Sequence, residues 1–541
     1  MVDLSGARRI ERSASATDAC AEGRPSRWAP LQWSERQFAT AGLGLLVLAA
    51  IGLRLVPILV EPSLNWWDEV FQAIEPAHRL VYGYGLVPWE FQLGMRSWLL
   101  PGVVAGLMEV SRLAGDGPEY YLPVIATSFA LLASAPVVCC FLWARRWFGL
   151  AGALAAAALV AVAPELVYLG ARTLSETVAG HLLVIGCFLL EPGYRVTSRR
   201  RLFAAGILLG LVCLLRIHLA PAIALVVLWA SWGVWRQQFP ALFAGGFAAT
   251  AFGAMLDWLT LGYPLASLWR NLLYNVLNGV SSDFGTASWN FYLLGELGLW
   301  STAGLLILAA ALLGARVLPV LLAAAVAIVA VHSGFAHKEY RFIYPAVLLI
   351  MVLAGMGIAQ LTAWAAEWLG RRGVKKHLAG AAGAALLLGY SGVLMLGVWT
   401  NPTMAQLRSR VHDNLLAMSF TAKLPAICGV GLYGAEGRDW VMYGGYSHLH
   451  RPLPMYWPAD QAELAAAAPA FDTLLYSTAP PAALGFETAA CFGEICVARR
   501  QGGCVAQSMA AMPFPAPVAG LAPPKEAFPA IPASVAAQVS R

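Results

Sequence analysis

Two short stretches, far apart in the chain, carry groups able to do chemistry. The first is Asp68-Glu69, within Asn65-Trp66-Trp67-Asp68-Glu69-Val70-Phe71-Gln72-Ala73-Ile74-Glu75, and the second is His337-Lys338-Glu339-Tyr340-Arg341-Phe342, which runs on into Tyr344-Pro345. A carboxylate partly withdrawn from water has its pKa raised toward the range of a general base acting on a hydroxyl. The same pair also suits a solvated helix cap that accepts backbone N–H groups. Arginine offers a planar fork of donors and lysine a compact charge, and both suit a phosphate. Arg172, in Arg172-Thr173-Leu174-Ser175-Glu176, and Arg216, two residues before His218, add further cations. Snorkelling at a membrane interface accounts for any one of these turns taken singly.

Aromatic and polar residues crowd the same parts of the sequence. Tyr82-Gly83-Tyr84-Gly85, Pro88-Trp89-Glu90-Phe91 and Arg96-Ser97-Trp98 suggest short helices lying in an interface plane. An ordinary aromatic belt has the same composition. The stretch from Asp257 to Tyr292 holds Asn271, Tyr274-Asn275, Ser281-Ser282-Asp283 and Trp289-Asn290. Such residues suit a sugar, whose hydroxyls take hydrogen bonds and whose faces stack on rings, or equally a lid built of turn residues.

Positioning these groups falls to a chain made for a bilayer. Of 541 residues, 59% are hydrophobic and 12% charged, about half the roughly 25% charge of soluble domains. The composition excludes a cytosolic enzyme, a disordered scaffold and a nucleic-acid binder, and indicates an all-α polytopic membrane protein. About eleven apolar runs recur between Phe38 and Trp399, each near the ~20 residues a helix needs to cross hydrocarbon. Residues 1–37, with Arg8, Arg9, Arg12, Arg24 and Arg27, are expected to be a disordered basic tail inside the cell, too long and too weakly apolar for a cleaved signal.

Alternation from that tail places Arg145 and Arg146, Arg195 with Arg199 to Arg201, Arg236, Arg316, and Arg371 to Lys376 all inside, as the positive-inside rule requires. The opposite face then receives Glu61 to Tyr121, Tyr168 to Thr173, Arg216 to His218, Leu261 to Asn290, Ala336 to Arg341 and everything after about Thr400. All the candidate chemistry falls there, and its cations stand on the face where the rule does not expect them. The expected plan is a membrane domain over 38–399, a small exported domain over 400–512 and a disordered Pro/Ala-rich tail over 513–541. Cys139, Cys140, Cys187 and Cys213 lie in apolar runs as small buried residues. Cys428, Cys491, Cys496 and Cys504 lie where an oxidising compartment permits disulfides, whose pairing the spacing leaves open.

Several of these segments resemble one family. Asp68-Glu69 followed by Phe71-Gln72, Glu75, Ala77-His78, Tyr82-Gly83, Gly85, Trp89-Glu90, Arg96-Ser97 and Pro101 is similar to the first luminal loop of glycosyltransferase family 22. These are membrane mannosyltransferases of the GT-C fold that extend the N-glycan precursor and the GPI anchor. His337 to Phe342 resembles that family's H-K-E-x-R-F signature, and the likeness covers roughly residues 40–400. Trp66-Trp67 stands where the family usually has His-Pro, and Arg216-Ile217-His218 corresponds only loosely to its Arg-Pro-Thr turn. Ala-rich composition and short loops point to a bacterial member.

The resemblance implies transfer of a sugar, mannose by family default, from a polyprenyl-phosphate donor to a hydroxyl of a lipid-linked glycan or other envelope acceptor, with inversion. It implies a multi-pass protein of the inner (cytoplasmic) membrane, acting as a monomer on its extracytoplasmic side. In an inverting displacement one carboxylate deprotonates the attacking hydroxyl, and a phosphate leaves as an anion that cationic donors stabilise. Asp68 is accordingly the expected base, with Glu69 beside it as neighbour, substitute or positioning group. His337, Lys338 and Arg341 are expected on the donor phosphate, with Arg172 and Arg216 as helpers, and Trp89, Glu90, Arg96, Asn275 and Trp289 on the substrates. No cofactor and no obligatory metal are expected, since the cations already supply charge compensation. A transporter or flippase of lipid-linked sugars would share the spans and the arginines, but shows no internal repeat here. An inactive assembly subunit is the remaining alternative.

Overall fold

A computed structural model describes residues 34–190, 198–434 and 439–505. Most of the expected basic tail, Arg195 and the 513–541 tail lie outside the described residues. The chain divides into two compact units, Met1–Ala41 and Gly42–Arg541. In the first, residues 35–41 are helical. The second holds every other element and all the candidate site residues.

Five helices are long and apolar enough to cross a bilayer among the described residues: Glu35–Val60, Pro118–Val162, Trp235–Leu261, Tyr340–Arg371 and Leu378–Trp399. Two bent pairs, Pro164–Gly170 with Ser175–Leu190 (115°) and Phe291–Trp300 with Ala303–Gly314 (108°), raise the number to seven. The expected eleven are not reached by length, because other apolar helices are short: Leu99–Ser111, Ile217–Ser231 and Pro319–Ser333 have 10–17 residues. Pro118–Val162 is itself broken at Gly149, whose φ of 77° leaves the helical region just after Arg145 and Arg146. Small residues draw neighbouring helices together, as is common where apolar burial does not favour association. A Cβ at Gly206 would lie 2.1 Å from the Leu242 carbonyl, and one at Gly245 2.1 Å from that of Phe203. This backbone contact between Arg199–Leu215 and Trp235–Leu261 fixes the helix end that carries Arg216.

The all-α expectation holds for the membrane part only. In the C-terminal region β1 (Val430–Tyr433), β2 (Met455–Tyr456), β3 (Thr473–Tyr476), β4 (Phe486–Phe492) and β5 (Ile495–Arg500) form one sheet ordered β2-β1-β3-β5-β4. β1 runs parallel to β2 and β3, while β5 runs antiparallel to β3 and β4. The short apolar run of β1 is buried along its length and that of β3 nearly so, which is why they read as continuous rather than alternating. Disulfides join Cys428 to Cys504 and Cys491 to Cys496, whereas Cys139, Cys140, Cys187 and Cys213 are free thiols.

The segment that follows the first span is the keystone. On one side Leu64, Val70, Phe71 and Leu86 join Met418, Val430, Leu432 and Val497 in a single apolar core. On the other Ala73, Ile74 and Ala77 pack on Leu100, Val104, Met108, Tyr121 and Phe129. Each fully buried large side chain contributes about 1.5–3 kcal/mol, so loop, helices and C-terminal region are held together. Glu75, fully buried, pins the joint: its carboxylate accepts from the backbone N–H of Leu86 (2.8 Å), Tyr446 (3.2 Å) and Ser447 (2.8 Å).

Candidate active site

Asp68 and Glu69 close a turn that leads into one wide π-helical stretch, Val70–Ile74. Neighbours on a helix point about 100° apart, and the two carboxylates go to different places. Asp68 faces a cavity of about 900 Å³ lined also by Gln72, Trp89, Glu90, Arg96, Arg216, His218, Asn271, Asn275, His337, Glu339 and Arg341. Glu69 turns the other way and is buried against Arg172.

The far-separated stretches meet in this cavity. Arg341, with a side chain 3% exposed, donates through its two terminal nitrogens to Asp68 Oδ2 and to Glu176 Oε1 (2.9 Å for the latter), and through Nε to Glu339 Oε2 at 2.6 Å. Glu176 Oε1 also accepts from Arg216, so one carboxylate oxygen ties two guanidiniums together. Arg96 holds Glu90 through Nε (3.0 Å) and Nη2 (2.6 Å). Burial pushes the Asp68 carboxyl up to about 6, against the downward pull of the Arg341 guanidinium. For Glu339, burial is outweighed by Arg341 and the His337 hydrogen bond, which hold its carboxyl well below the usual range. That same bond raises His337.

A second cavity of about 640 Å³ shares Gln72, Arg96, Arg216, His218 and Asn271 with the first, then continues between Leu99, Leu100, Pro101, Leu214, Leu215 and Ile217. It is thus charged at the junction and apolar beyond. Arg216 Nε is buried there without a hydrogen-bond partner among the described residues.

Four residues expected at the site are placed elsewhere. The Lys338 amine donates to the carbonyls of Ala287 (3.0 Å) and Phe335, and does not line the cavity. With His337 Nδ1 at 2.8 Å from the Gly285 carbonyl and Ala287 N–H donating to Ala336, it staples two turns together. Arg172 donates to Glu69 Oε1 (2.7 Å), the Ser63 carbonyl (2.8 Å), Ser63 Oγ (2.9 Å) and the Tyr168 carbonyl (3.1 Å), and stacks 4.1 Å over the Tyr168 ring. Glu69 and Arg172 are therefore a brace behind the loop, outside the cavity. Trp289 is 70% exposed and lines neither cavity. Trp89, by contrast, stacks on Phe284, rings 5.6 Å apart and 15° from parallel.

Sequence reasoning assigned Glu176 no role, although it is the carboxylate on which Arg216 and Arg341 converge. A charged residue opening an otherwise apolar helix, Ser175–Leu190, was the available signal. His332, also on the cavity, closes the apolar helix Pro319–Ser333 and escaped notice for the same reason. Among the described residues the one grouping at metal-ligand spacing is Cys428, Asp472 and Cys504, whose sulfurs are joined in a disulfide.

Known proteins share both the sequence and the fold. The Alg9-like mannosyltransferase family profile matches residues 45–427. GPI mannosyltransferase 3 of Yarrowia lipolytica is 31% identical over 352 residues, 63% of this chain and 67% of that protein. GPI alpha-1,2-mannosyltransferase 3 of Danio rerio is 26% identical over 60% of this chain and 61% of its own length. Both relatives are eukaryotic and lend nothing to a bacterial origin. The fold is similar to the crystal structure of ArnT from Cupriavidus metallidurans bound to undecaprenyl phosphate, with a TM-score of 0.57, 16% identity, and 87% of this chain and 100% of that one covered. The apo ArnT structure gives a TM-score of 0.53.

Proposed function

The chain belongs to the Alg9-like mannosyltransferase family, and we propose that it is a membrane mannosyltransferase that moves a sugar from a polyprenyl-phosphate donor to a hydroxyl of a lipid-linked glycan, with inversion, on the extracytoplasmic side. One observation carries the reading: Asp68, from the first outer loop, meets Arg341, from the far end of the membrane domain, in a cavity lined by Glu90, Asn271 and Asn275.

Asp68 is the base. Its raised carboxyl is matched to proton removal near neutral pH, since a base works best with a pKa close to the working range. The reacting carbon sits in the larger cavity, among Glu90, Asn271 and Asn275. The donor phosphate takes the junction, where Arg96, Arg216 and His218 line both cavities, and its isoprenoid runs into the apolar one. Each guanidinium there carries five N–H donors, of which carboxylates take only some, so donors remain for a phosphate. This moves the expected phosphate site from Lys338 to Arg216 and Arg96, while Arg341 governs the base. The transporter alternative has no observation in its favour.

The test is reconstitution of the purified chain in liposomes with radiolabelled polyprenyl-phosphate mannose and a membrane glycolipid extract. Glycosidic product that disappears in Asp68→Asn is expected. Full transfer by Asp68→Asn removes the base assignment.

A further inference from the structure

The broken span formed by Pro164–Gly170 and Ser175–Leu190 touches the stretch around Arg341 at three points. Glu176 accepts from Arg341 at 2.9 Å, and five residues on His181 Nε2 lies 2.8 Å from the Tyr344 hydroxyl. The third contact comes from Glu165, 1% exposed on the first arm, whose two carboxylate oxygens accept from the Tyr340 hydroxyl and from Trp300 Nε1. Tyr340, Arg341 and Tyr344 are therefore each held by the same broken span.

Glu165 has no part in the transfer described above. It lines neither cavity of the site, and both of its donors are neutral groups. An ionisable side chain withdrawn from water inside a membrane domain is costly, which marks it as a candidate for a functional role. Its bond runs to the residue immediately before Arg341. Tyr340–Ile343 is a single 3-10 turn, in which about three residues complete a revolution, so neighbouring side chains diverge by about 120°. Fixing the Tyr340 ring to Glu165 outside the cavity thus fixes the direction in which Arg341 leaves the turn, toward Asp68. Trp300 steadies the anchor from another helix, Phe291–Trp300. One turn earlier on that helix, Glu296 adds a second carboxyl group, whose oxygens are buried without a hydrogen-bond partner among the described residues.

We infer that Glu165 and Tyr340 are positioning residues for the transfer, their buried bond aiming the Arg341 guanidinium at Asp68. The inference rests on the transfer reading, in which Asp68 is the base. Burial raises the Asp68 carboxyl and Arg341 is the strongest pull the other way, with Glu339 and Glu90 adding to the rise and Arg96 to the fall. A guanidinium that swings out of line therefore leaves that carboxyl higher.

Infrared titration of the Asp68 carboxyl tests this without turnover, so its failure is separable from failure of the base assignment, which transfer by Asp68→Asn decides. The full chain in nanodiscs is titrated, and the Asp68 band is identified by its loss in Asp68→Asn. In Tyr340→Phe, which keeps the ring and removes the hydroxyl, the midpoint is expected to rise by about half a unit. From a start near 6, that rise lowers kcat/KM at pH 6 about twofold and leaves it nearly unchanged at pH 8. Glu165→Gln should raise the midpoint at least as far, because an amide offers one oxygen to the two donors and turns its NH₂ on the other. Should Glu165→Gln fail to fold, Tyr340→Phe decides alone. Tyr446→Phe is the control: it loses a hydroxyl bond to the Leu453 carbonyl (2.8 Å) in the C-terminal region, and should lower the melting temperature without moving the midpoint. A midpoint that stays in place or falls in Tyr340→Phe, or that rises as far in Tyr446→Phe, overturns the inference.

Discussion

The two faces of the segment that follows the first span differ in how their carboxylates are satisfied. On the rear, Glu75 accepts from three backbone N–H groups and Glu69 is paired with an arginine that makes three further hydrogen bonds. On the front, Asp68 is 27% exposed at the edge of an open cavity, touching a guanidinium that it shares with Glu176 and Glu339. Adjacent residues of like charge thus do different work, because rotation along the helix sends one into packed structure and the other toward space. A buried charge whose partners are complete is architecture, and one with room beside it is available for chemistry.

Substitutions sharpen that contrast. Asp68→Asn should lower transfer the most, by about 10²–10⁴-fold, the usual contribution of a general base, with little change in melting temperature. On the rear face, Arg172→Met should destabilise by about 3 kcal/mol, since it strands the buried Glu69 charge, while the folded fraction keeps its turnover. Glu75→Gln should cost about 2 kcal/mol by setting an amide NH₂ against backbone donors, again read by thermal unfolding of the purified protein. If Arg172→Met abolished turnover in fully folded protein, the division between the faces would fail. At the small end, Trp289→Ala should change donor KM by less than about threefold, as expected for an exposed side chain away from both cavities.

The sequence revealed the class of molecule and its family because each has a local signature: apolar runs for the membrane part, Asp68-Glu69 and His337 to Phe342 for the family. What it could not supply was direction. Lys338 sits between two residues of the cavity wall, but its amine is spent on the Ala287 and Phe335 carbonyls. Arg172 and Arg216 looked alike as cations at outer turns. Only the bonds of Arg172 to Ser63 and Glu69 make one a brace, and the helix contact at Gly206 and Gly245 accompanies the approach of the other to Glu176. β1 and β3 of the C-terminal region were hidden for a related reason, since buried strands lack the alternation that marks a half-exposed one.

The central claim is that Asp68 and Arg341 act at one reacting centre, and the acid limb of the pH–rate profile tests it most directly. Asp68 must be deprotonated to act as base, so kcat/KM should fall as pH drops through about 6. Because Arg341 pulls that carboxyl down, Arg341→Gln should move the limb to higher pH and leave activity at pH 6 more depressed than at pH 8. An acid limb that stays in place when Arg341 is replaced would contradict the account.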